Sequence, residues 1–346
     1  MKNKVENNYY ILSKYRTELM GIAAILVIIA HSNMMISYWD FSVALYYVLG
    51  QANIGVDIFF FLSGIGLYFS FSNKKYNFKQ YYVKRILNVY VIYLLIAFPL
   101  MLFHAIRFGS TVADFFLDWS GISFYLGRQY VYKNHGGWYV MFIMVLYLIY
   151  PLIFKVQKYF EKKKTDLFFL IVVIALYIAF CSFFLVKYES VFMRYEVALT
   201  RIPIFLIGSY IGKLTYNKEK FGIGTYITIV LGIAVSLLLA YLNLPFISSR
   251  FNKTLMAVAL CLIYCMLRSV FNFSIIIKLF SFIGKMSLEV YLTHGLANIL
   301  LFKSGHASSG IQYLIIVAIS IPVSYLISRL RLKLVSKYDE KLKTKT

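Results

Sequence analysis

Apolar residues run along this chain in long blocks, neither alternating like a strand nor confined to one stripe of a helix. Ten blocks near the ~20-residue length that crosses a bilayer fall at about 19–38, 53–72, 86–106, 137–157, 167–186, 202–216, 223–244, 254–272, 284–302 and 311–331. No polar block between them is long enough for a separate soluble domain. The pattern predicts an all-α polytopic membrane protein of about ten transmembrane helices. We read residues 1–346 as a single membrane domain, with spans over about 19–331 and short basic segments at both ends. The stretch 107–136 is the largest connection on the outer side and is expected to hold a short interfacial helix. No small-residue cleavage site follows the first block, which reads as an uncleaved anchor.

Composition supports this picture. The chain is 61% hydrophobic, against roughly 45–50% in soluble domains, and its mean hydropathy is +0.72. The formal net charge of +22 could suggest nucleic acid, but its distribution points elsewhere. With ten spans both termini share a side, and that side and its loop edges carry 27 of the 36 Lys and Arg residues, against nine opposite. Such an excess orients a membrane protein with both termini cytoplasmic and attracts anionic lipid. The lipid bilayer is therefore the expected partner, and no nucleic acid is. Cys181, Cys261 and Cys265 lack a CxxC spacing and read as packing residues.

Polar residues inside the apolar blocks are costly and mark candidate functional positions. His31 lies in the first block, "LMGIAAILVIIAHSNMMI", about 18 Å from its inner edge at 1.5 Å per residue. Asp57 enters the second block, "NIGVDIFFFLSGIGLYFSF", about 6 Å from its outer edge. The two fall at comparable depth on consecutive spans, so Asp57 is the expected carboxylate that orients and stabilises a His31 base; as an alternative it only caps the second span. Gly55, Gly64 and Gly66, with Ser63, are small enough for close helix approach. Arg16 and Glu18 precede the first span, and Lys84 and Arg85 precede the third. Trp138, Arg201, Glu289 and His294 sit in later blocks that topology alone does not require to be polar. His104, His135 and His306 show no metal-ligand spacing, and no metal site is expected.

The segments "RTELMGIAAILVIIAHS", "GVDIFFFLSG", "YYVKRILNVY", "GGWYVMFIMVLYLIYPLI", "RIPIFLIGSYIG" and "IGKMSLEVYLTH" occur in this order. Together they resemble the integral-membrane acyltransferase-3 family, bacterial O-acyltransferases of surface sugars, over about residues 14–331. The resemblance implies a ten-span fold in the bacterial cell membrane and transfer of an acyl group to a carbohydrate hydroxyl, usually acetyl from acetyl-CoA. It makes the span-one histidine, His31, catalytic; comparable depth adds Asp57 as its support. The candidate substrate-binding residues are Arg16, Glu18, Arg85, Ser63, Trp138, Arg201 and His294. Relatives often carry a basic residue eleven positions before the histidine; here Met20 stands there and Arg16 is the nearest substitute. Relatives often add an arginine and a proline after Arg85, where this chain has Asn88 and Val89.

The implied chemistry suits these residues. Acetyl-CoA is a substrate rather than a bound cofactor, and basic residues at inner loop edges could hold its phosphates. A neutral histidine can take the proton of an attacking hydroxyl, or accept the acetyl group covalently. A second function class is a transporter or flippase of a lipid-linked sugar, with His31 and Asp57 as a proton relay. Such transporters often show internal repeats, and none is visible here.

Overall fold

A computed structural model describes residues 7–35, 49, 51–73, 77–126, 137–242, 247–272, 274–301 and 310–343. Those residues are helical throughout apart from turns and one isolated bridge, Asn8 to Lys220. In a bilayer every backbone N–H and C=O must be satisfied within the protein, and helices do this segment by segment. In chain order the helices are α1 (Ile11–Lys14), α2 (Arg16–Met35), α3 (Ile54–Asn73), α4 (Phe78–Arg85), α5 (Val91–Phe108), α6 (Val112–Ser120), α7 (Ile122–Tyr125), α8 (Gly137–Lys162) and α9 (Asp166–Lys187). They continue with α10 (Glu189–Leu199), α11 (Ile202–Tyr216), α12 (Ile223–Leu242), α13 (Ile247–Val270), α14 (Ser274–Gly284), α15 (Ser287–Leu301) and α16 (Gly310–Lys343).

Seven helical stretches among the described residues are long and apolar enough to cross a membrane, and shorter apolar helices accompany them. The polytopic all-α expectation is met, with differences of detail. The third predicted span begins earlier, because α4 runs through a π-helical turn, Ile86–Tyr90, straight into α5. The Asn88 amide donates to the Lys84 carbonyl at 2.8 Å in that turn. Two connections hold helices, α10 and α14, that no full-length apolar run announced. The final helix continues past residue 331 to Lys343, through a Gly- and Pro-free stretch rich in good helix formers. Where one short helix is expected in 107–136 the chain forms two, α6 and α7; residues 127–136 of that connection, with His135, lie outside the described residues, as does His306.

The chain divides into two compact units that interleave in sequence. The first comprises Met1–Ala23, Ile54–Lys75 and Ile149–Gly284. Its densest packing joins α3 to α11. Gly64 and Gly208 make this possible: a Cβ on Gly64 would collide with the Phe205 carbonyl oxygen, and one on Gly208 with that of Phe61. Small residues let helices associate where lipid supplies no hydrophobic drive of its own. The α12–α13 hairpin adds a further pair, tied by the Ser236 hydroxyl donating to the Asn252 carbonyl. The N-terminal strap is held by Tyr9 N–H donating to the Glu219 carbonyl at 2.9 Å and Phe221 N–H to that of Asn7 at 3.1 Å.

The second unit comprises Ala24–Asn53, Tyr76–Leu148 and Lys285–Thr346. Here α15 packs on α16, with the hydroxyls of Thr293 and Ser324 hydrogen-bonded at 2.7 Å inside the interface. Arg331 of α16 donates from Nε to Glu289 of α15 at 2.6 Å. Helix α6 folds onto α5, where the Trp119 indole donates to the Leu94 carbonyl at 2.8 Å. All three cysteines are buried free thiols, as expected of packing residues.

Candidate active site

In the second unit two histidines 263 residues apart meet. His31 sits in α2, where its Nδ1 lies 2.9 Å from the carbonyl of Val27, one turn earlier. His294 sits in α15, with Nδ1 3.1 Å from the carbonyl of Val290, again one turn earlier. The His294 Nε2 lies 3.0 Å from the His31 Nδ1, and the ring centroids are 4.9 Å apart. His294 is 2% exposed, whereas His31 is only partly buried.

These contacts assign the protons. A carbonyl oxygen only accepts, so the His294 Nδ1 must carry N–H and donate to Val290, and the His31 Nδ1 must carry N–H to meet Val27. A neutral His294 then has a bare Nε2, which accepts from the same His31 N–H. All three contacts are satisfied with both rings neutral and both Nε2 atoms unprotonated. The surroundings are tightly built: the Tyr313 hydroxyl donates to the Ile28 carbonyl of α2, and the Tyr291 ring packs edge-on to His294 at 6.1 Å and to Tyr139 at 5.2 Å.

Two further candidates of this unit lie on neighbouring elements. The Arg85 guanidinium covers the rings of Tyr81, at 5.4 Å, and Tyr147, at 5.1 Å, a cation–π arrangement. Trp138 is partly exposed in the first turn of α8, edge-on to Tyr139. Arg331, which the sequence did not single out, donates from Nη1 to Asn88 at 3.4 Å as well as clasping Glu289.

The first unit holds the other candidates. Asp57, in the first turn of α3, is completely buried, and its Oδ1 lies 3.5 Å from Nε of Arg201, the residue that opens α11. Neither carboxylate oxygen has a hydrogen-bond donor among the described residues, and Lys253 adds a second positive charge to the neighbourhood. Ser63 is buried in the same helix beside Gly64. The Arg16 guanidinium lies against Gly66, where an added Cβ would come within 3.0 Å of it. Glu18 is engaged twice: it accepts from the Tyr264 hydroxyl at 2.6 Å and from Arg268 Nε at 3.1 Å.

The structure thus brings His31 to His294 and Asp57 to Arg201. The expectation that Asp57 orients His31 links residues of different units, and within its own unit each has another partner. Lys253, Tyr264, Arg268 and Arg331 escaped the sequence reading; the visible signal for their roles was the buried acid each accompanies. Among the described residues no cluster of three His, Cys, Asp or Glu side chains could hold a metal ion.

Comparison with known proteins gives one result. A family model described as an acyltransferase domain, that of acyltransferase-3, matches residues 19–329, nearly the whole chain. No curated protein and no solved structure matches it. On the strength of that match the chain belongs to the acyltransferase-3 family.

Proposed function

We propose that this acyltransferase moves an acetyl group from acetyl-CoA to a hydroxyl of a cell-surface or lipid-linked polysaccharide, with His31 as the general base. The observation that carries the proposal is the pair of contacts at His31 Nδ1, to the Val27 carbonyl and to His294 Nε2. With Nδ1–H directed at Val27 and His294, the lone pair on Nε2 is free to take a proton. The sugar O–H gives its proton to that nitrogen as the oxygen attacks the thioester carbonyl carbon. The tetrahedral intermediate then expels coenzyme A as thiolate. The imidazolium returns the proton to sulfur, leaving an O-acetyl ester, free coenzyme A and a neutral His31.

Other candidates take supporting parts in this reading. Arg85, whose guanidinium lies over the rings of Tyr81 and Tyr147, is the cation assigned to a phosphate of the donor. Trp138 offers a face for a sugar ring. Glu18 and Arg201 hold helices of the first unit, through Arg268 and Asp57. The protein is placed in the bacterial cell membrane with both termini cytoplasmic, the side on which acetyl-CoA is found.

The test supplies radiolabelled acetyl-CoA to membranes containing the protein and asks where label goes. Label in a carbohydrate, released by mild alkali as expected of an ester, is the predicted result. Label that never leaves the donor pool, or that enters only lipid or protein, contradicts the proposed acceptor.

A further inference from the structure

We propose that His294 is the positioning residue of His31: a buried, neutral imidazole that fixes the tautomer and ring orientation of the base by accepting its Nδ1–H. The inference rests on the reading of His31 as base and adds to it a partner that is not a carboxylate.

The geometry carries the argument. The His294 Nδ1–H is committed to the Val290 carbonyl at 3.1 Å, so the only role left to its Nε2 is acceptor. That lone pair lies 3.0 Å from the His31 Nδ1, and the ring is almost wholly removed from solvent. His31 receives two acceptors on one nitrogen, the Val27 carbonyl and His294. The Val27 contact alone is available to any histidine in a helix, since that carbonyl lies one turn back. His294 is the contact that comes from another helix, and it alone fixes which way the ring faces.

A consequence for the reaction follows from charge. When His31 binds a proton on Nε2, its Nδ1–H becomes part of a cation and its hydrogen bonds strengthen. His294 then stabilises the imidazolium without carrying a charge of its own. A buried carboxylate in that place would hold the imidazolium more firmly, and the proton must still return to the departing thiolate. A neutral acceptor orients the base without trapping the proton. The same committed Nδ1–H directs all proton or acyl chemistry on His31 to Nε2.

The test compares His294→Gln, whose side-chain oxygen can accept the His31 N–H, with His294→Leu, which fills similar space and offers no acceptor. Initial rates are measured in membranes at matched protein level across a range of acetyl-CoA concentrations, with thermal stability in detergent as a parallel reading. The expected result is a fall in kcat of about 10- to 100-fold in the leucine variant, the size of loss seen when the outer partner that orients a metal-bound histidine is removed. KM for acetyl-CoA stays unchanged, and glutamine restores most of kcat. A packing role alone would lower stability and amount without separating the two variants in kcat. Equal kcat in the leucine variant and wild type, or equal loss in both variants, overturns the inference. If leucine does not accumulate, His294→Met replaces it as a flexible residue without an acceptor comparable to an amide. His31→Ala, run alongside, separates this outcome from failure of the base assignment: an active His31→Ala removes the base itself, whereas an inactive one with a fully active His294→Leu removes only the positioning role.

Discussion

Arg201 holds its Nε 3.5 Å from Oδ1 of Asp57 inside the first unit, and the carboxylate is completely buried there. The pair joins the first turn of α3 to the start of α11, two helices that meet backbone to backbone at Gly64 and Gly208. Breaking a buried ion pair by removing one partner leaves an uncompensated charge, typically at a cost of about 3–5 kcal/mol. Asp57→Asn should therefore lower the thermal midpoint and the amount of protein in the membrane, and Asp57→Asn with Arg201→Gln should recover part of both. Thermal unfolding of purified protein in detergent checks this. A stable Asp57→Asn protein with a large loss of kcat would instead support Asp57 as the support of His31.

Gly64 and Gly208 make a second prediction. Alanine at either position would drive a methyl group into backbone carbonyl oxygen of the facing helix. Backbone cannot rotate away as a side chain can, so α3 and α11 would have to separate, and overpacking of this kind costs about 1–3 kcal/mol or more. Gly64→Ala and Gly208→Ala should each reduce stability, while Gly224→Ala, whose Cβ would meet nothing within 4 Å, should not. Melting curves of the three variants give the comparison.

Glu18 is a candidate with structural partners of its own. Its carboxylate is occupied by Tyr264 and Arg268, and the Arg268 guanidinium in turn covers the Tyr15 ring at 5.0 Å. Glu18→Gln should weaken this cluster and lower stability, leaving KM for acetyl-CoA within about twofold of wild type because no substrate contact is lost. A raised KM at normal stability would return Glu18 to the donor site.

The Arg85 guanidinium lies over the Tyr81 and Tyr147 rings, and we assign it to the donor. Arg85→Glu should raise the acetyl-CoA concentration needed for half-maximal rate by more than it lowers the saturated rate, since phosphate contacts supply ground-state binding. Rate against acetyl-CoA concentration at equal protein level reads both quantities together.

Much of this architecture is legible in the sequence because lipid imposes a coarse rule, a run of apolar residues long enough to cross. The helices α3 and α9 follow from that rule almost residue for residue, and α8 starts where it predicts and ends later, at Lys162. Helices α10 and α14 do not, since at eleven residues each they fall short of the crossing length by which spans are recognised. The π-helical turn at Ile86–Tyr90 also carries no pattern of its own. His31 was visible as a costly residue in an apolar run, but its partner was not. His294 is 263 positions away, and a hydrogen bond between two imidazoles leaves no trace in spacing or periodicity. Depth along the span pointed to Asp57, because comparable depth on consecutive spans is the one neighbourhood a sequence can suggest.

The central claim is that His31 takes the proton from the acceptor hydroxyl, and the most direct measurement is acetyl transfer by His31→Ala. Membranes containing equal amounts of wild-type and variant protein would receive radiolabelled acetyl-CoA, with alkali-labile label in carbohydrate counted over time. Loss of a general base predicts a rate lower by about 10²–10⁴-fold, with membrane insertion and thermal stability retained. Transfer by the His31→Ala protein within a few-fold of wild type would contradict the account.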